Sequence, residues 1–305
     1  MTKPPTVEPT REPAQSIGAS VSASGRKRRI RRRLRRMGRN PRTRVRGPSF
    51  NRLIPNIMTM LGLCAGLSGM RFALEHQFEP AAVALLIAAC IDGLDGRIAR
   101  LLKGATRFGA EFDSLSDFVC FGVAPSFVLL MWSLEHAGRY SFVPCILFTV
   151  CMALRLARFN ASLDDDDKPD YSYSFFTGVP APAGAGLVLF PVFLGLEADR
   201  LHAEGLAAFA RLPLVSAVCL IVTGLLLVST LPVWSFKNFK VPARYVLPLM
   251  LGTGLYAALL VADPWGALAG AGLLYIAILP FSRRSYHRLK LAAEEMSETV
   301  EEEPA

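Results

Sequence analysis

The sequence predicts an all-α, polytopic membrane protein with about eight transmembrane helices. Of its 305 residues 52% are hydrophobic, although both ends of the chain are strongly polar. The apolar residues are concentrated in runs that approach or reach about 20 residues, the length that crosses a bilayer as a helix. The predicted spans are residues 55–74, 81–102, 112–134, 141–160, 178–197, 212–232, 243–262 and 264–282.

Basic residues fall in alternate connections between these predicted spans. The segments on the side of the N-terminal tail hold most of the lysines and arginines, whereas the opposite loops hold only Arg139, Arg200 and Arg211. By the positive-inside rule this distribution places both termini in the cytoplasm, which requires an even number of spans and favours eight over seven. The pattern predicts a multi-pass protein of the cell inner (cytoplasmic) membrane.

Both ends of the chain are predicted to be tails outside the helical domain. The formal net charge is +9, and fifteen of the 34 Lys and Arg residues lie before residue 47. Residues 1–47 contain too little apolar surface to offset chain entropy, so we expect a disordered basic cytoplasmic tail. This tail is expected to attract anionic membrane lipids, and no nucleic acid is expected as a partner. Residues 48–285 form the predicted transmembrane domain, and 286–305 an acidic cytoplasmic tail.

Two neighbouring predicted helices each carry two aspartates close to the same membrane boundary. Asp92 and Asp95 lie near the end of the second span, and Asp113 and Asp117 lie one helical turn apart at the start of the third. At about 100° per residue each pair shares one helix face. The short connection makes the two helices antiparallel neighbours, so the four carboxylates are expected to meet at the cytoplasmic boundary.

Four carboxylates at this position predict a divalent cation site. An ionised aspartate is costly at membrane depth, and four together also repel one another. Oxygen ligands without a nearby His or Cys suit Mg²⁺ or Mn²⁺ better than zinc. One alternative is a set of solvated helix ends paired with Arg97, Arg100 and Arg107. Another is a cation or proton transporter, for which acidic residues would be expected at several depths rather than at one boundary.

The spacing of these residues resembles the complete signature of the CDP-alcohol phosphotransferase family. The matching residues are Asp92, Asp95, Gly96, Ala99, Arg100, Gly109, Asp113 and Asp117. The resemblance implies a six-helix core, a homodimer and two divalent cations, Mg²⁺ or Mn²⁺. It also implies that Asp92, Asp95 and Asp113 are metal ligands, and that Asp117 is the catalytic base and a further ligand.

The same resemblance implies a pocket for the CDP group beside the metal ligands. Its expected contacts also include Asn56 and Thr59 at the start of the first span, for which helix capping is an alternative explanation. The expected CDP-binding residues are Asn56, Thr59, Asp92, Gly96, Ala99, Arg100 and Gly109.

Four further segments indicate which alcohol accepts the transferred group. Residues 54–59, 113–125, 153–160 and 176–182 resemble the branch of this family that transfers a phosphatidyl group from CDP-diacylglycerol to L-serine. Cys120 departs from that branch, which more usually has serine there. The same transfer to glycerol 3-phosphate or inositol phosphate is the alternative.

The segment 153–160 contains two arginines three residues apart. Arg155 and Arg158 lie at the cytoplasmic end of the fourth predicted span and can face inward together. A guanidinium fork suits either the carboxylate of serine or a lipid phosphate. Anchoring at the cytoplasmic boundary is the alternative role for this pair.

Overall fold

The computed structural model describes residues 50–102, 104, 106–162, 175–229, 232–234 and 243–278. These residues form helices, a short two-stranded ribbon and the connections between them. The basic tail, its expected contact with anionic lipids and the acidic tail all lie outside the described residues. The elements in chain order are α1 (Phe50–Leu74), α2 (Phe78–Leu101), α3 (Arg107–Leu134), α4 (Val143–Ala161), β1 (Phe175–Thr177), α5 (Ala181–Val188), α6 (Phe190–Arg200), α7 (Glu204–Ala210), α8 (Pro213–Val228), β2 (Pro232–Trp234), α9 (Ala243–Ala262) and α10 (Pro264–Ile278).

The helices confirm a multi-pass membrane protein, but they do not establish eight spans. Four helices of the described chain are long and apolar enough to cross a bilayer, and the number rises to six if two bent helix pairs each form one span. α2 has 24 residues but carries charged residues at its C-terminal end, and α10 is shorter than a full span as described. The count of eight and the six-helix core therefore stay predictions.

The two bent pairs break at prolines. α5 and α6 meet at 44°, and α7 and α8 meet at 51°. Pro191 lies in the first turn of α6 and Pro213 in the first turn of α8. Proline has no N–H to continue the preceding helix but fits the first helical turn, so it ends one helix and begins the next. The predicted helix 178–197 is thus divided, and its first residues precede α5.

α1 and α2 form an antiparallel hairpin with a close interface. A Cβ at Gly69 would lie 3.1 Å from the side chain of Leu85 and 3.2 Å from the carbonyl oxygen of Ala81. Ala81 and Ala88 of α2 are buried. Small residues allow two helix backbones to approach closely in a membrane. This hairpin fixes the position of the α2 end that carries Asp92 and Asp95.

α3 changes its helical type along its length. It is α-helical over Arg107–Asp117 and Ala124–Leu129 and π-helical over Phe118–Val123 and Leu130–Leu134. π-Helical turns are rare and frequently lie at functional sites. The first π-helical segment directly follows the last of the four aspartates.

The core lies where α3, α4, α5 and α8 meet. Val128, Phe148, Val188 and Leu227, one from each helix, are fully buried. Gly224 allows α8 to approach α4, because a Cβ there would lie 3.3 Å from Cα of Phe148. This packing orients α4, and with it the two arginines near its C-terminal end.

The ribbon is an addition to the all-α fold that the sequence predicts. β1 pairs antiparallel with β2, with Phe176 opposite Val233. Three-residue strands connect the segment before α5 to the segment after α8. Gly178, directly after β1, has a φ of +83°. Glycine adopts that conformation without the steric cost that a side chain would bring.

Candidate active site

Three of the four aspartates converge between α2 and α3. Asp92, Asp95 and Asp113 each present a carboxylate oxygen, and the three oxygens lie within 4.8 Å of one another. Asp95 is buried, with 4% of its surface exposed, and the other two are half-buried. The antiparallel arrangement expected for α2 and α3 therefore brings acids from both helices to one place.

Asp117 completes the acidic group. It lines one small pocket together with Asp92, Asp95 and Ser116. Ionised carboxylates that line one small pocket repel one another, and a shared proton or a cation would relieve this repulsion. The four acids thus form one electrostatic unit rather than separate helix ends.

Thr59 of α1 holds one of these carboxylates. Its hydroxyl donates a hydrogen bond of 2.8 Å to Oδ2 of Asp95 and lies 3.1 Å from the carbonyl oxygen of Pro55. Thr59 is buried, with 6% exposed. Sequence analysis assigned Thr59 to the CDP pocket and missed this contact with Asp95, which depends on the packing of α1 against α2.

The residues present fit a divalent cation. Oδ1 of Asp113 is buried and has no hydrogen-bond partner among the described residues. A buried carboxylate oxygen without a donor is costly unless a cation or ligand group reaches it. Carboxylate oxygens are the ligands that Mg²⁺ and Mn²⁺ prefer. Asp92, Asp95 and Asp113 could therefore hold a metal ion.

The glycines around the acids have two different roles. A Cβ at Gly96 would meet nothing within 4 Å, so the α2 backbone is open to a ligand there. A Cβ at Gly109 would lie 2.6 Å from Oδ1 of Asn56 and 3.1 Å from Oγ1 of Thr106. Thr106 caps α3 by accepting a 3.0 Å hydrogen bond from the Gly109 N–H. Gly109 thus allows Asn56 to pack against the start of α3.

The remaining CDP residues predicted on α2 lie on the same helix end as Gly96. Ala99 is half-buried, and Arg100 is exposed. Ala99 lies about one helical turn beyond Asp95 and Arg100 follows it directly, so both lie on the part of α2 that continues away from the buried acids.

The two arginines of α4 have different contacts. Arg155 is half-buried, lies within electrostatic reach of Asp117 and Tyr275, and places its guanidinium 5.7 Å from the ring centre of Phe159. Arg158 donates hydrogen bonds of 3.0 Å and 3.4 Å to the carbonyl oxygens of Val228 and Ser229 at the end of α8. Arg155 is therefore close enough to the acidic group to interact with its charge, whereas Arg158 binds helix-terminal carbonyls.

Two further contacts near the site were missed by sequence analysis. Nδ2 of Asn160 donates a 3.0 Å hydrogen bond to Oγ of Ser114, which joins α4 to the helix turn of Asp113. Cys120 lies against α1, where a Cβ at Gly66 would be 2.8 Å from its Sγ. Both contacts join elements distant in sequence, and the residue types alone gave no signal for them.

The fold and the site thus define a multi-pass membrane protein with a carboxylate cluster that could hold divalent cations. Residues 52–210 match the family model described as CDP-alcohol phosphatidyltransferase, and residues 244–280 match the one described as CDP-alcohol phosphatidyltransferase 2. The chain belongs to the CDP-alcohol phosphatidyltransferase family. The matched ranges contain all four aspartates and both α4 arginines.

The chain aligns over most of its length with several relatives. It is 40% identical over 243 residues to the CDP-diacylglycerol–serine O-phosphatidyltransferase of Mycobacterium leprae, covering 79% of this chain and 78% of the relative. It is 40% identical over 248 residues to the Mycobacterium bovis protein of the same name, covering 80% and 82%. It is 33% identical over 224 residues to the Helicobacter pylori protein of that name, covering 73% and 88%.

Proposed function

We propose that this protein transfers the phosphatidyl group of CDP-diacylglycerol to the hydroxyl of L-serine, giving phosphatidylserine and CMP. The observation that carries the proposal is the convergence of Asp92, Asp95 and Asp113 beside Asp117 in a family of CDP-alcohol phosphatidyltransferases. The relatives that share 33% to 40% of its residues carry the name of this activity.

The acidic residues divide between cation binding and proton transfer. Asp92, Asp95 and Asp113 would hold two divalent cations, Mg²⁺ or Mn²⁺, with Asp117 as a further ligand. When bound, the cations neutralise the diphosphate and stabilise the departing CMP. Thr59 keeps Asp95 in place, because its hydroxyl occupies one carboxylate oxygen and leaves the other available.

Asp117 accepts the proton of the serine hydroxyl. A carboxylate within hydrogen-bond reach of a hydroxyl can take its proton as the oxygen attacks. The serine oxygen forms a bond to the β-phosphorus, the bond from that phosphorus to the bridging oxygen breaks, and CMP leaves with the bond's electron pair. The proton held on Asp117 then passes to solvent.

Arg155 is the proposed contact for the serine carboxylate. Its electrostatic proximity to Asp117 supports this role, since serine's carboxylate and hydroxyl must reach the two residues together. Arg158 is also proposed to bind serine or a phosphate. Its hydrogen bonds to the carbonyl oxygens at the end of α8 would hold it in position. The open backbone at Gly96 supports CDP binding along α2 by Ala99, Arg100 and the neighbouring turn.

The membrane location and orientation of the protein are proposed from its charge distribution and its family. The positive-inside pattern supports a cell inner membrane protein whose active site faces the cytoplasm. CDP-diacylglycerol would then enter from the inner leaflet, while serine and CMP exchange with the cytoplasm. The homodimer and the lipid contact of the basic tail stay proposals that rest on the family resemblance and on charge.

An assay with several acceptor alcohols tests this function directly. Purified protein is incubated with CDP-diacylglycerol, Mg²⁺ or Mn²⁺, and labelled serine, glycerol 3-phosphate or inositol phosphate, and the lipid product is identified. We expect labelled phosphatidylserine and release of CMP. A lipid product formed from glycerol 3-phosphate or inositol phosphate but not from serine would contradict the proposed acceptor and retain the reaction class.

A further inference from the structure

Tyr275 on α10 has a buried hydroxyl without a hydrogen-bond partner among the described residues. The ring is half-buried and packs against the hydrophobic core. Buried tyrosine hydroxyls usually find a partner, because an unpaired polar group away from water costs free energy. A ligand atom that accepts this hydrogen bond would remove the cost.

Tyr275 lines an apolar cavity of about 290 Å³. The walls come from α2, α3, α5, α6 and α10, and include Leu85, Phe121, Pro182 and Leu268. Pockets for small molecules measure about 300–1,000 Å³, so this one suits part of a lipid rather than a whole one. Apolar walls without charged residues favour a hydrocarbon chain as the occupant.

The cavity adjoins the acidic site. Cys120 lines the apolar cavity and also the small pocket that contains Asp92, Asp95 and Asp117. Arg155 of α4 lies within electrostatic reach of both Asp117 and Tyr275. Tyr275 and Cys120 both line the apolar cavity, so Tyr275 lies on a cavity that borders the acidic pocket.

The order of these groups matches the order of groups in one substrate. In CDP-diacylglycerol the diphosphate is followed by the glycerol backbone with its two ester groups, and then by the acyl chains. With the diphosphate at the acids and a chain in the cavity, the ester groups fall at the junction. An ester carbonyl oxygen is a hydrogen-bond acceptor, and a phenol hydroxyl is a donor.

We infer that Tyr275 is a specificity-determining residue that donates a hydrogen bond to an ester carbonyl of CDP-diacylglycerol, whose acyl chain enters the adjoining cavity. This inference rests on the proposed function and adds a lipid-binding residue to it. The hydrogen bond forms in the bound substrate and persists in the transition state. Its loss therefore raises the KM for the lipid and leaves kcat and the KM for serine unchanged.

The test compares CDP-diacylglycerol with its ether-linked analogue, which lacks the carbonyl oxygens. The unmodified protein is expected to have a KM about three- to tenfold lower for the ester lipid, the range of one hydrogen bond. Tyr275→Phe keeps the ring and should give the two lipids equal KM values. Tyr256→Phe is the matched control, because the Tyr256 hydroxyl lies on α9 and donates to the carbonyl oxygen of Ala267.

A second measurement does not depend on turnover. Without serine, the ester lipid should raise the melting temperature of the unmodified protein more than the ether lipid does, and Tyr275→Phe should abolish this difference. Equal loss of affinity for both lipids, or no change, would overturn the inference. If the unmodified protein makes no phosphatidylserine the proposed function fails, whereas unchanged lipid preference in an active Tyr275→Phe variant defeats this inference alone.

Discussion

The hydroxyl of Thr59 on α1 donates a 2.8 Å hydrogen bond to Oδ2 of Asp95 on α2. This contact ties the first helix to a proposed metal ligand that is almost completely buried. Residues that orient a metal ligand affect the metal site although they do not touch the ion. Thr59 is therefore expected to influence the cation requirement.

Replacement of Thr59 by valine should weaken cation binding. Valine has a similar shape but no hydroxyl, so Asp95 loses its donor and its fixed orientation. We expect the Mg²⁺ or Mn²⁺ concentration for half-maximal activity to rise about 10- to 100-fold. Thr59→Ser keeps the hydroxyl and should stay close to the unmodified protein. Equal cation requirements in Thr59→Val and the unmodified protein would contradict the positioning role.

Cation binding should stabilise the folded protein through the acidic group. Chelation with EDTA is expected to lower the melting temperature in detergent and to abolish activity, and Mg²⁺ or Mn²⁺ should restore both. In Asp113→Asn the cation should give a smaller rise in melting temperature, because one ligand charge is lost. Glu204→Gln, an exposed change on α7, is the control. A full cation-induced rise in Asp113→Asn would show that Asp113 is not a ligand.

Asp117→Asn should lose turnover even at saturating cation and substrate concentrations. Asparagine has nearly the same shape and cannot accept the serine proton, so we expect kcat to fall by about 10²- to 10⁴-fold. Glu111→Gln removes an exposed carboxylate from the same helix and should have little effect. Full turnover in Asp117→Asn would refute its assignment as the base.

Arg155→Gln should raise the KM for serine more than the KM for CDP-diacylglycerol. The neutral side chain removes the cation that faces Asp117, and a charge-assisted hydrogen bond to a carboxylate is worth about 1.5–3 kcal/mol. That corresponds to an increase of about 10- to 150-fold in KM. Arg139→Gln, in the exposed connection after α3, is the control. A selective effect on the lipid KM would instead assign Arg155 to phosphate binding.

Gly178→Ala should destabilise the end of α8. Gly178 has a φ of +83°, and a Cβ there would lie 2.7 Å from the carbonyl oxygen of Leu227 and 2.9 Å from that of Ser229. The backbone strain alone costs about 1–3 kcal/mol, so the melting temperature should fall by several degrees. Gly205→Ala on α7 meets nothing within 4 Å and should leave the melting temperature unchanged or slightly higher. Equal melting temperatures for the two variants would contradict the close approach.

The aspartates were the most predictable part of the site, because helical periodicity converts sequence spacing into a shared face. The separate directions of Arg155 and Arg158 could not be predicted in the same way. Their spacing of three residues indicates one face, but Arg158 binds carbonyl oxygens at the end of α8, seventy residues later in the chain. The contacts of Thr59 and Tyr275 likewise depend on how helices pack, which no local pattern encodes.

The positions of the helices were predictable from the sequence, but their exact ends were not. Apolar runs located the helices, but their bounds followed from local chemistry that composition does not reveal. α3 begins at Arg107, earlier than the predicted 112, because the Thr106 side chain caps it. The helix predicted over 178–197 is divided because Pro191 cannot continue α5.

The π-helical segment Phe118–Val123 has a consequence for how this protein can change. A π-turn closes its hydrogen bond between residues i and i+5, so it holds one residue more than an α-turn. One residue rotates an α-helix by about 100°, and the wide turn therefore sets the angle between the reactive end of α3 and its buried end. Deleting one residue there would convert the wide turn into an α-turn and keep both Asp113 and Val128 on their present faces. The same deletion in an α-helical part of α3 would instead rotate one end of the helix by about 100° relative to the other.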